Sequence, residues 1–104
     1  MNNMKYPPDF LEFLRRKSLG EIYSIFEEII EQTLDTFSVC DFLNKNKFCE
    51  FICNTAVTIF LSRWFDFDVE ENEYPEFRKK IYNMLKTKYS EGLGEYYAYN
   101  ISDC

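Results

Sequence analysis

The chain is organised around one apolar segment, KFCEFICNTAVTIFLSRWF, residues 47–65. Its apolar side chains fall on almost every side of a helical projection, and it contains no glycine or proline. The β-branched residues Thr55 and Val57 to Ile59 would also suit a buried strand, but nineteen residues are too many for an ordinary strand. A helix that is apolar on most faces belongs in the middle of a bundle. The segment therefore predicts a central helix over roughly residues 46–65.

Two amphipathic segments flank the central one. Ser18 and Glu21 have the S-x-x-E spacing of a capping box, which predicts that a helix begins there. Apolar residues then recur with helical period on one side of that helix: Ile22, Ile25, Phe26, Ile29, Ile30, Thr33, Leu34 and Phe37. Downstream, Pro75 suits the first turn of a helix over residues 76–89, and Gly92 or Gly94 is expected to terminate it.

The ends of the chain complete the architecture. Pro7 and Pro8 precede a short helix over residues 9–17, and residues 1–6 are expected to be flexible. The tyrosine-rich residues 95–104 are left open as a docked extended segment, a last short helix or a frayed tail. The sequence predicts an all-α fold, with residues 1–104 forming a single small bundle of four to five helices around the nearly all-apolar one.

Charge and composition limit the function. The chain has 104 residues, a net charge of −6 and no histidine. The negative charge opposes direct binding to nucleic acid and favours basic protein surfaces. The commonest general base is missing and no phosphate-binding motif occurs, so we expect no enzyme, no cofactor and no catalytic or metal-ligating residues. Phe51 to Ser62, the longest uncharged stretch, is too short to span a membrane, and no signal peptide is evident, which favours the cytoplasm.

The four cysteines are also consistent with a cytoplasmic protein that binds no metal. Cys49 and Cys53 lie four residues apart within the apolar segment, where a cysteine acts as a small hydrophobic residue. A zinc site would favour paired cysteines on turns, whereas Cys40 stands alone and Cys104 is the last residue. Because no export signal is visible, we expect all four to be reduced thiols.

The most informative local feature is DFDVEENEYPE, residues 66–76, which carries six acids and no base among aromatic residues. It begins like a calcium loop, but Glu71 stands where an EF-hand requires glycine and Phe77 where it requires glutamate, which leaves only weak divalent-ion binding open. A plain solvated loop is one interpretation. The other is a partner-binding patch comprising Asp66, Asp68, Glu70, Glu71, Glu73 and Tyr74. The rival acidic surface is Glu27, Glu28 and Glu31, on the second helix.

In size, acidity, helical pattern and tyrosine content, the chain is similar to bacterial toxin-immunity proteins and to phage-encoded inhibitors of nucleases. That resemblance implies a stoichiometric inhibitor or immunity-type partner of a basic, nucleic-acid-acting protein, either a toxin nuclease or a nucleic-acid-guided effector. The alternative is a helical structural or adaptor subunit that self-associates, as a homodimer, through an aromatic-rich surface.

Overall fold

A computed structural model describes residues 8–65 and 75–104. Its elements are α1 (Pro8–Arg16), α2 (Leu19–Thr36), a 3₁₀ turn (Val39–Asp41), α3 (Lys45–Phe65) and α4 (Pro75–Ile101). Within these two ranges all the regular structure is helical, so the predicted all-α bundle is confirmed.

Helix α2 begins at the predicted capping box. The Glu21 backbone N–H donates to Ser18 Oγ at 3.2 Å, and the Ser18 N–H donates to Glu21 Oε1 at 3.3 Å. These bonds satisfy backbone groups that lack partners within the helix. The buried face of α2 follows the apolar period and consists of Ile22, Phe26, Ile29, Ile30 and Thr33. The one buried hydroxyl on this face, that of Thr33, donates to the Ile29 carbonyl at 2.8 Å.

Helix α3 is the predicted central element and packs against both α2 and α4. Its start is capped by Asn44, whose Oδ1 accepts the Lys47 backbone N–H at 2.9 Å. Among residues 45–64 of α3, the buried ones are Phe48, Cys49, Ile52, Cys53, Ala56, Val57, Phe60 and Leu61. Phe60 packs on Phe26 of α2, with ring centroids 4.4 Å apart. No helix in the described ranges, α3 included, combines the length and apolarity needed to cross a membrane.

Helix α4 is longer than the sequence predicts. It runs through Gly92 and Gly94 to Ile101, so the expected termination at these glycines is wrong and residues 95–101 continue the same helix. Tertiary contacts outweigh the low helix propensity of glycine, about 1 kcal/mol relative to alanine. Gly94 is buried, and a Cβ added there would lie 3.0 Å from Cδ of Lys45. The Tyr97 hydroxyl donates to the Phe42 carbonyl at 3.4 Å, beyond both glycines.

The cysteines also depart from expectation. Cys40 and Cys104 form a disulfide, with Cα atoms 5.7 Å apart across a sequence separation of 64, so the prediction of four reduced thiols is wrong. The extension of α4 carries the end of the chain back to the 3₁₀ turn, which no local pattern reveals. Cys49 and Cys53 are free and buried, as predicted for small hydrophobic residues.

Candidate partner-binding surface

The preferred sequence-based patch lies outside the described residues. All six of its members, Asp66, Asp68, Glu70, Glu71, Glu73 and Tyr74, belong to residues 66–74. The patch therefore stays a prediction. The rival surface on α2 is described in full.

Four carboxylates line the solvent side of α2 and are called the acidic stripe here: Glu27, Glu28, Glu31 and Asp35. All four are exposed, and their spacing of three and four residues places them along one side of the helix. Like charges at this spacing repel one another. The ion pairs among the described residues join Arg16 to Glu12, Lys17 to Glu21 and Lys47 to Glu50. None of them neutralises the stripe.

Glu27 is the member of the stripe that is tied to α4. The Tyr89 hydroxyl donates to Glu27 Oε2 at 3.2 Å and lies 3.4 Å from the Tyr23 carbonyl oxygen. Burial, followed by the nearby charge of Glu27, raises the pKa of Tyr89 well above its ordinary value. The Tyr89 hydroxyl therefore keeps its proton further into the alkaline range than an ordinary tyrosine. Glu28 and Glu31 have no such contact within the described chain and remain available to a partner.

A groove of about 340 Å³ opens between α2 and the end of α3 and is called the α2–α3 groove here. Its lining residues are Ile25, Glu28, Ile29, Arg63 and Trp64. Trp64 is 40% exposed, and Lys17 Nζ lies 5.4 Å from the centroid of its ring. Sequence alone assigns Glu28 to the rival surface and Ile25 to the apolar side of α2, and it places Trp64 at the end of the central segment, beside the acidic residues 66–76 as a possible anchor for a partner. Only the crossing of α2 and α3 brings the three together.

A second exposed surface lies where α4 meets the 3₁₀ turn and is called the aromatic end here. It comprises Leu43, 90% exposed, together with Tyr96 and Tyr99, 37% and 82% exposed. Tyr96 stacks on the buried ring of Phe48, with centroids 6.0 Å apart. The tyrosine-rich sequence of residues 95–104 indicates this surface, whereas no local sequence pattern predicts that Leu43 belongs to it.

A polar groove of about 430 Å³ lies between the start of α3 and the middle of α4. Its walls carry two lysines, Lys45 and Lys86, and two glutamates, Glu50 and Glu91. Cys49 also lines it, and the Cys49 thiol donates to the Ser90 carbonyl at 3.8 Å. Burial raises the pKa of Cys49, which disfavours the reactive thiolate. Among the described residues, no group of histidine, cysteine and acidic side chains is arranged to hold a metal ion.

Comparison with known protein families, with characterised proteins and with solved structures finds no match for this chain.

Proposed function

We propose that this protein is a small acidic binding protein without catalytic activity or cofactor. In this proposal it acts as a stoichiometric inhibitor or immunity-type partner of a basic, nucleic-acid-acting protein. The observation that carries the proposal is the acidic stripe, four exposed carboxylates with no ion pair among the described residues. Their mutual repulsion lowers stability, and a basic partner would relieve it.

The physical basis of inhibition is competition for one surface. A protein that binds nucleic acid presents lysines and arginines to phosphates. Carboxylates on a rigid helix offer those side chains an alternative partner, and long-range attraction accelerates the encounter. The net charge of −6 likewise attracts the whole protein to a basic partner.

Capture of the partner from the native host, followed by charge reversal, tests the proposal. Changing Glu28, Glu31 and Asp35 to lysine should lower the association rate roughly tenfold or more at low salt, with a smaller effect at high salt. The same change at Asp68, Glu70 and Glu71 tests the patch outside the described residues.

The matched control reverses three exposed acids elsewhere, Glu91, Glu95 and Asp103, and so alters the net charge equally. If all three triple variants slow association to the same extent, only the total charge matters and no acidic surface is a specific site. If binding survives all of them unchanged, or if the captured partner is not basic, the proposal is wrong.

The aromatic end supports the second candidate, a structural or adaptor subunit that forms a homodimer. Leu43 and Tyr99 expose most of their surface to solvent, which self-association would bury. Sedimentation velocity separates the candidates, because a dimer held by apolar burial persists as salt rises, whereas a complex held by charge weakens. A dimer that dissociates on Tyr99→Ser substitution would favour the adaptor role.

We place the protein in the cytoplasm as part of the same proposal. Disulfides are rare in a reducing cytosol, so the Cys40–Cys104 pair provides the test. Rapid alkylation in intact host cells should modify both cysteines if the compartment is reducing. A disulfide retained under these conditions would indicate an oxidising compartment instead.

A further inference from the structure

We propose that the α2–α3 groove is an anchor site for a single arginine side chain of a basic partner protein. The inference rests on the proposed function for the charge of that partner. It names the residue type that the partner inserts and the place where it binds.

The groove offers an arginine two kinds of surface. The partly buried Ile25 supplies apolar contact for the methylene stem, whereas Ile29 lines the groove but is only 1% exposed. Trp64 stands at the side with 40% of its surface exposed, so part of the indole is open to a guanidinium. Arginine stacks on aromatic rings and is more weakly hydrated than lysine, which favours it at a partly apolar site.

Charge complementarity selects a cation as the occupant. Glu28 lines the groove, is exposed and forms no ion pair with any described residue. Lys17 Nζ already lies 5.4 Å from the centroid of the Trp64 ring, so an arginine would compete with this lysine for the ring, and the attraction comes mainly from Glu28. The acidic stripe surrounds Glu28 with further negative charge.

Arg63 is the one lining residue that opposes a second cation. Its Nη2 donates to Gln32 Oε1 at 3.2 Å, which directs the guanidinium toward α2 one turn beyond Glu28. Arg63 therefore leaves the Glu28 carboxylate unpaired but lowers the attraction of the groove for a cation. Removing its charge should strengthen binding of an arginine.

Trp64 is the only tryptophan of the chain, so its fluorescence reports directly on the groove. Titration of the full-length protein with hexa-arginine amide at low ionic strength should give a saturable change in that fluorescence, with weaker binding of hexalysine amide. Glu28→Gln should raise the dissociation constant roughly two- to fivefold, the range expected for one exposed ion pair. The matched variant Glu31→Gln removes the same charge from the same helix outside the groove and should have a smaller effect.

A second pair of variants tests whether removing a positive charge from the groove strengthens binding. Arg63→Gln should lower the dissociation constant more than Arg15→Gln, which removes an exposed base from α1. Equal effects within either pair, or fluorescence that does not respond to hexa-arginine, would overturn the arginine anchor. Glu28 and Glu31 are exposed, so neither substitution threatens folding.

The two proposals fail separately. If the partner captured from the host is basic but Glu28→Gln and Glu31→Gln weaken it equally, the groove inference is wrong and the inhibitor function stands. If hexa-arginine binds as expected but the captured partner is not basic, the inhibitor function is wrong and the cation site stands.

Discussion

Helices α2 and α4 both pack on α3, but they are held in different ways. α2 has its own capping box and one continuous buried face from Ile22 to Thr33. α4 buries Phe77, Ile81 and Leu85 in its first half. Its second half buries Leu93 and is also fastened by the Tyr97 hydroxyl and, just past its end, by the Cys104 disulfide.

This difference indicates which surface is available for function. Apart from Glu27, which accepts a hydrogen bond from Tyr89, the outer face of α2 contributes little to holding the bundle together, since the buried residues of α2 all lie on the opposite side. It can therefore carry four repelling carboxylates. The outer part of α4 near the 3₁₀ turn contains the contacts that position the helix. Substitution of Tyr97 or Cys104, which make those contacts, would therefore alter folding as well as any binding.

The largest expected effects come from the aromatic core that joins each helix to α3. Phe60→Ala removes the contact with Phe26 of α2, and Phe48→Ala removes the contact with Tyr97 of α4. Each should lower the free energy of unfolding by about 3–5 kcal/mol, the usual cost of a Phe-to-Ala cavity. Urea denaturation measures both, with the exposed Leu43→Ala as the control. If either variant loses no more free energy of unfolding than this control, the substituted ring does not belong to the core.

The disulfide should have the next largest effect. Reduction, or the double substitution Cys40→Ser and Cys104→Ser, should cost about 2–4 kcal/mol because the unfolded chain loses a long closed loop. Hydrogen exchange should accelerate most in the last turns of α4, which also lose their tether in the folded state, and less in α2. Reductant should have no effect on the double variant, since Cys49 and Cys53 are already thiols. Four alkylated cysteines in the unreduced, unfolded protein would contradict the disulfide.

The capping box should contribute less to the free energy of unfolding than the disulfide does, through its effect on α2. Ser18→Ala removes the acceptor of the Glu21 N–H and should lower the free energy of unfolding by about 1 kcal/mol. Ser24→Ala is the control, because its hydroxyl donates to the Gly20 carbonyl within the same helix and caps nothing. Thermal denaturation of the two variants measures the difference. Equal midpoints would mean that α2 does not depend on its cap.

The smallest effects distinguish the two glycines of α4. A Cβ at Gly92 meets nothing within 4 Å, so Gly92→Ala should stabilise the protein by about 0.5–1 kcal/mol through helix propensity. At Gly94 the new Cβ approaches Lys45 Cδ at 3.0 Å, and the lysine must move, so Gly94→Ala should gain less. Denaturation of both variants side by side gives the comparison. A loss of stability at Gly92 would show that α4 does not continue through this position.

Local patterns were sufficient for much of this fold. The all-round apolarity of residues 47–65 predicts the central helix, and the Ser18–Glu21 spacing predicts where α2 begins, because helical period and capping act over neighbouring residues. The same period predicts that Glu27, Glu28 and Glu31 lie on a solvent face. Each of these features depends on residues within a few turns of one another.

Tertiary structure alone settled the features that join distant segments. Gly92 and Gly94 signal a helix end, yet α4 continues because Leu93 packs in the core and Lys45, from another helix, covers Gly94. Cys40 and Cys104 pair only because that continuation returns the end of the chain to the 3₁₀ turn. The α2–α3 groove likewise needs Glu28 and Trp64 from two crossing helices. Contacts across tens of residues depend on packing energies summed over the whole core, and no short window of sequence contains them.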